Sequence, residues 1–102
     1  LEVMRSARDA AKGFLVTSSL ESSVGIAANA HLASMSPAQP FAHGLSTGML
    51  FEEDLASPSI LIGDGNLSPP KGHGLGVRID MGQLKKHSIG ISGSVGSWPE
   101  LP

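Results

Sequence analysis

The stretch that most restricts the fold is a helix with almost no polar side. From about residue 23 to 34 the chain carries Val24, Ile26, Ala27, Ala28, Ala30, Leu32 and Ala33, interrupted only by Asn29 and His31. A helix that is apolar nearly all round must be covered on most of its sides. That is more cover than 102 residues comfortably provide. Immediately before it stand a short apolar run, Phe14-Leu15-Val16, and a hydroxyl-rich turn, Thr17-Ser18-Ser19-Leu20-Glu21-Ser22-Ser23-Val24-Gly25. The order is therefore buried strand, polar turn, covered helix.

Ser36-Pro37 and Pro40 end the helix, since proline cannot continue it. Phe41-Ala42-His43-Gly44-Leu45-Ser46-Thr47-Gly48 then repeats the first pattern, a short strand running into a turn of small hydroxyls. Two strands joined by a helix make a βαβ unit with a parallel sheet. In such sheets functional groups gather at the carboxyl ends of the strands, where both turns lie. The first turn supports two readings. Its hydroxyls and the unpaired N–H groups of the helix start would suit a carboxylate or phosphate. Alternatively, Ser22 or Ser23 simply caps the helix.

The flanks are plainer. A leading helix places Leu1, Val3, Met4, Ala7, Ala10 and Ala11 on one face and Arg5, Arg8, Asp9 and Lys12 largely on the other. It starts without a cap, as a chain cut from something longer would, and Gly13 is expected to stop it in a left-handed conformation. Glu52-Glu53-Asp54 reads as a solvated face or a helix start in preference to a metal site. Ser59 to Ile62 reads as a strand closed by the turn Gly63-Asp64-Gly65-Asn66, and Val77 to Asp80 as a half-buried strand. Residues 85–102, with Lys85-Lys86-His87 and Trp98, form a Ser/Gly-rich tail onto which no structure is forced.

Composition excludes several functions. A net charge of -2 leaves no footprint for nucleic acid or an anionic membrane. Absence of Cys removes disulfides and Cys-based zinc sites. No apolar run approaches a membrane span. No basic-then-apolar leader opens the sequence either, which is uninformative in a chain that starts directly in a helical pattern. Gly72-x-Gly74-x-Gly76 precedes a strand and does not open a helix, so it lacks the N–H cradle of a nucleotide loop. His31, His43, His73 and His87 have no metal-ligand spacing, and a triad of Ser18, His43 and Asp64 lacks a nucleophile elbow.

The turn at 17–25 resembles the seventh-strand signature of the o-succinylbenzoate synthases of the enolase superfamily. Residues 42–51, Ala-His-Gly-Leu-Ser-Thr-Gly-Met-Leu-Phe, resemble the eighth-strand segment. Asp64-Gly65-Asn66-Leu67 with Gly72-His73-Gly74-Leu75-Gly76-Val77 resembles the C-terminal return of the branch that includes muconate-lactonizing enzymes. The resemblance covers about residues 1–84. It implies an α/β fold, the C-terminal third of a (β/α)7β barrel plus the C-terminal return to the capping domain. A complete barrel of this kind takes roughly 250 residues. Residues 1–57 would hold the last βα units (helix, strand seven, helix, strand eight), 58–84 the return strands, and 85–102 the tail.

By the same resemblance the complete protein is a Mg²⁺-dependent dehydratase, cytoplasmic, forming o-succinylbenzoate in menaquinone or phylloquinone synthesis. Its lysines and Mg²⁺-binding carboxylates fall on strands absent from this sequence, so no catalytic or metal residue is expected here. The implied substrate-binding residues are Thr17, Ser18 and Ser19 at the end of strand seven, facing the succinyl arm, and Gly44 at the end of strand eight. Glu21, a carboxylate beside an anion site, is read as structural. The expected partners are a small carboxylate substrate and the remaining barrel and capping domain, with no nucleic acid and no membrane. Two alternatives stand beside this one: an N-acylamino acid racemase or dipeptide epimerase of the same superfamily, and an independent binding module.

Overall fold

The computed structural model describes residues 1–90 of the chain; Trp98 and most of the expected tail lie outside the described residues. Three α-helices follow one another, α1 (Glu2–Asp9), α2 (Ser23–Ala33) and α3 (Met81–His87), with a 3-10 turn at Thr47–Leu50 between the last two. α2 begins and ends within a residue of the expectation, because Ala, Leu and Ile favour helix and the following Ser/Pro stretch does not.

The core lies along one face of α2. Ser23, Ile26, Ala27, Ala30 and Ala33 are buried, at the i, i+3, i+4, i+7 spacing of a single helical stripe. Val16 and Leu45 pack against Ala30 and Ala33, and Phe14, Leu32, Ile62 and Leu67 flank that cluster. The other side of α2 stays open: Ala28 is exposed, and Val24, Asn29, His31 and Leu32 are only half covered. The all-round apolar composition therefore meets only one covering layer among the described residues.

The expected parallel pairing is present but minimal. Thr17 and Gly44 form an isolated parallel bridge. Gly44 N–H donates to the Val16 carbonyl at 2.9 Å, and Ser18 N–H donates to the Gly44 carbonyl at 2.8 Å. Neither run extends into a longer strand among the described residues. The expected strand at Ser59 to Ile62 does not form; those residues run irregularly into a tight turn whose Asn66 N–H donates to the Gly63 carbonyl at 3.0 Å. Residues 59–62 have no pairing partner among the described residues, and a lone two-segment pair is marginal. Ile79 pairs antiparallel with Ala56 in an isolated bridge, which ties 77–80 to the residues after the acidic patch; the expected half-buried strand does not form, and Ile79 is exposed.

Two helix ends differ from expectation. α1 is stopped by Ala11, not Gly13: Ala11 has φ 55°. Its N–H donates to the Arg8 carbonyl at 2.9 Å, while Lys12 N–H reaches the Ala7 carbonyl at 2.8 Å. This is the paired-bond arrangement of a Schellman stop, built on an alanine where glycine would be unstrained. Gly13 is instead needed for space, since a Cβ there would run into the Phe41 ring. α3 was not expected at all. It takes in Lys85, Lys86 and His87 and is capped by Asp80, whose carboxylate accepts the Gln83 N–H at 3.0 Å.

Candidate functional site

The bridge between Thr17 and Gly44 brings the two hydroxyl turns together. Ser18 Oγ lies 2.8 Å from Thr47 Oγ1, and it also donates to the Gly44 carbonyl at 3.2 Å. Thr17 and Ser19 are exposed, Ser18 and Thr47 half-buried. Gly44 is exposed as well, and a Cβ added there would stand 3.2 Å from Thr17 Cγ2. The methyl of Thr17 thus packs over Gly44, and this residue keeps its open backbone because a side chain would press on that methyl. All four expected site residues share one locality. Thr47 was not singled out, although a second hydroxyl turn was the signal for it.

The start of α2 is not the open anion trap that the sequence suggests. Ser22 occupies the N-cap position but makes no side-chain capping bond. The cap is supplied from 31 residues away by Asp54, whose carboxylate accepts the Ser23 N–H at 2.9 Å and also the Ser23 hydroxyl. Ser23 is fully buried, and its oxygen in turn accepts the Ile60 N–H at 2.6 Å. Burial pushes the Asp54 carboxyl up, but hydrogen bonds from the Ser23 hydroxyl and from the Ser23, Leu55 and Ala56 N–H groups outweigh it and hold the group below its ordinary value. A carboxylate of the protein itself thus neutralises the positive end of α2. An external anion would have to be met by the hydroxyls of the turn.

Two further carboxylates are also committed. Glu53 accepts two bonds from Lys86 Nζ, at 2.6 and 2.7 Å, and lies 2.9 Å from His87 Nε2. The Lys86 hydrogen bonds, followed by that of His87, hold the Glu53 carboxyl below its usual value. Glu21 accepts from Asn29 Nδ2 at 2.6 Å, a structural use of the kind expected for it. No group of three or more His, Asp or Glu side chains suited to a metal occurs among the described residues. The residues present therefore do not fit Mg²⁺, and no chemistry is routed through one here.

The histidines take structural partners. His43 Nδ1 accepts the Val16 N–H at 3.1 Å, which requires that nitrogen to be unprotonated, and its Nε2 lies 3.1 Å from Ser36 Oγ. His43 makes no bond to Ser18 or Asp64, so the paper triad is not assembled. His31 Nε2 donates to the Leu75 carbonyl at 3.2 Å, tying the glycine-rich loop to α2. Gly72, Gly74 and Gly76 have φ of 129°, 61° and 72°, conformations that glycine adopts without strain. A cavity of about 290 Å³ between α2 and the return segment is lined by Ala30, His43, Leu45 and Asn66 among others, but by none of Thr17, Ser18, Ser19 or Gly44. No helix among the described residues is long and apolar enough to cross a membrane.

Comparison with known proteins bears on the whole arrangement. The o-succinylbenzoate synthase of Mycobacterium ulcerans (strain Agy99) is 46% identical over 57 residues, 56% of this chain and 17% of that protein. Muconate cycloisomerase 1 of Rhodococcus opacus is 34% identical over 84 residues, 82% of this chain and 22% of the relative. Chloromuconate cycloisomerase of Cupriavidus pinatubonensis (strain JMP 134 / LMG 1197) is 36% identical over 67 residues, 66% of this chain and 18% of the relative. The chain thus spans between 17% and 22% of the length of these curated relatives. No solved structure matches it. The family model described as enolase C-terminal domain-like matches residues 1–83, the extent over which the strand-end turns and the return segment lie, and the chain belongs to that family.

Proposed function

We propose that residues 1–84 form the closing segment of an enolase-superfamily (β/α)7β barrel together with its return to the capping domain. The complete protein would dehydrate 2-succinyl-6-hydroxy-2,4-cyclohexadiene-1-carboxylate to o-succinylbenzoate. In this reading Thr17, Ser18, Ser19 and Gly44 make the wall that receives the succinyl carboxylate. The Mg²⁺ and lysines of the superfamily's chemistry would be held by other parts of the protein.

One observation carries the reading: the isolated parallel bridge of Thr17 with Gly44 sets three hydroxyl residues beside an open stretch of backbone where the two segments pair. Hydroxyls donate to a carboxylate without adding charge, and an exposed glycine lets a ligand come close. The relatives named o-succinylbenzoate synthase support this choice of reaction. The longer match to muconate cycloisomerase 1 favours a second reading, a cycloisomerase of the same superfamily.

A Mg²⁺-dependent ultraviolet assay of dehydration on the full-length protein tests the proposal, with N-succinylamino acid racemisation and muconate cycloisomerisation run beside it. Dehydration as the dominant activity supports the synthase reading, while either of the others in its place reassigns the protein within the superfamily. In the active protein, Thr17→Val combined with Ser19→Ala should raise KM for the succinyl substrate, each lost contact being worth about 1 kcal/mol. Unchanged KM would remove the hydroxyl wall.

A further inference from the structure

We propose that Thr47 is a positioning residue for the carboxylate: it holds the hydroxyl of Ser18 so that the pair turns one O–H toward a bound carboxylate. The inference rests on the proposed carboxylate wall and adds to it a residue from the other turn. Its basis is a count of protons and acceptors. Ser18 and Thr47 hold two hydroxyl protons between them, and their oxygens are 2.8 Å apart. One proton makes the bond between them. The Gly44 carbonyl can only accept, and it already has the Ser18 N–H at 2.8 Å, a shorter bond than the 3.2 Å one from Ser18 Oγ. The longer bond can therefore be given up without leaving the carbonyl unpaired.

Three arrangements of the protons follow, one without an anion and two with one. Without an anion, Thr47 donates to Ser18 and Ser18 to Gly44, and both protons point inward. With a carboxylate present, either Ser18 keeps the Thr47 proton and turns its own outward, or Ser18 donates to Thr47 and Thr47 donates outward. No proton changes its oxygen; only hydroxyl rotors turn. Both residues are half-buried, so neither hydroxyl is fully withdrawn from a ligand. Ser19, one residue on, is exposed and has no such partner among the described residues.

The test is calorimetric titration of the full-length protein, at saturating Mg²⁺, with o-succinylbenzoate, and with benzoate as a ligand lacking the succinyl arm. Thr47→Val, which keeps the branched shape, should weaken o-succinylbenzoate binding about five-fold or more. Benzoate affinity should stay unchanged. Thr47→Ser should restore binding to within about two-fold of the parent, and Ser18→Ala with Thr47→Val should bind no worse than the weaker single variant, as expected for a coupled pair. Three results would overturn the inference: a Thr47→Val protein that binds like the parent, a Thr47→Ser protein as weak as Thr47→Val, or single effects that multiply in the double variant. If the folded parent does not bind o-succinylbenzoate at all, the carboxylate wall itself fails, a result distinct from normal binding that is insensitive to Thr47.

Discussion

α1 and α2 are held by opposite means. α1 has a clear amphipathic pattern and a complete local stop, yet none of its residues is buried, and Leu1 and Val3 are 64% and 78% exposed. α2 has no polar face and no side-chain cap of its own, yet five of its residues are buried. Its first turn is finished by Asp54, far along the chain. A helix whose stop is made by its own residues need not contribute to the core. The helix that organises the core depends on contacts that local sequence does not show.

The sharpest way to break this contrast is at Asp54. Asp54→Ala leaves the Ser23 N–H and hydroxyl without their acceptor at a fully buried position. The expected cost is about 2–3 kcal/mol, from a lost cap together with unsatisfied buried donors. It should appear as a lowered urea midpoint of the full-length protein. Because the folded carboxyl lies below its ordinary value of 3.8, this contribution is complete above that value and is lost as pH falls through the lower folded one. Asp54→Ala should therefore also flatten the loss of stability on the acid side. If the variant matches the parent in both respects, α2 is not held by its remote cap.

At α1 the expected effect is smaller and of opposite sign. Ala11 pays for a left-handed conformation that glycine adopts freely. Ala11→Gly should stabilise the helix end by up to about 1 kcal/mol. Hydrogen exchange at the amides of α1 reads this directly: slower exchange is expected, and faster exchange would mean that the Schellman bonds do not hold the end.

These two sites also show what was legible. α2 could be read because its composition leaves little choice, and the parallel pairing of 17 with 44 because both turns carry the same small hydroxyls after a short apolar run. The stop of α1 was misplaced by two residues, since glycine is the usual signal and alanine carries none. The role of Asp54 was hidden among three consecutive acidic residues; nothing in Glu52-Glu53-Asp54 tells which side chain turns inward. Full strands could not be foreseen to shrink to single bridges, because strand length depends on neighbouring strands and not on the run itself. Thr47 was within reach. The second turn carries the same small hydroxyls as the first, and Thr47 is one of them.

The smallest effect should come from the neighbour of Asp54. Glu53 and Asp54 are adjacent, and both are held below their ordinary values, but by different surroundings. Asp54 is capped by buried donors of α2, whereas Glu53 meets Lys86 and His87 of α3 at an exposed surface, where ion pairs are weak and screened by salt. The Glu53 contribution is present above its ordinary value of 4.5 and disappears as pH falls through the lower folded value. Glu53→Gln should consequently loosen only α3, seen as faster amide exchange over Met81–His87 at neutral pH and low salt, with no shift in the global urea midpoint. High salt should bring parent and variant together at α3 while leaving the Asp54 effect in place. Were salt to abolish both effects alike, the distinction between a buried cap and a surface ion pair would not separate these two adjacent carboxylates.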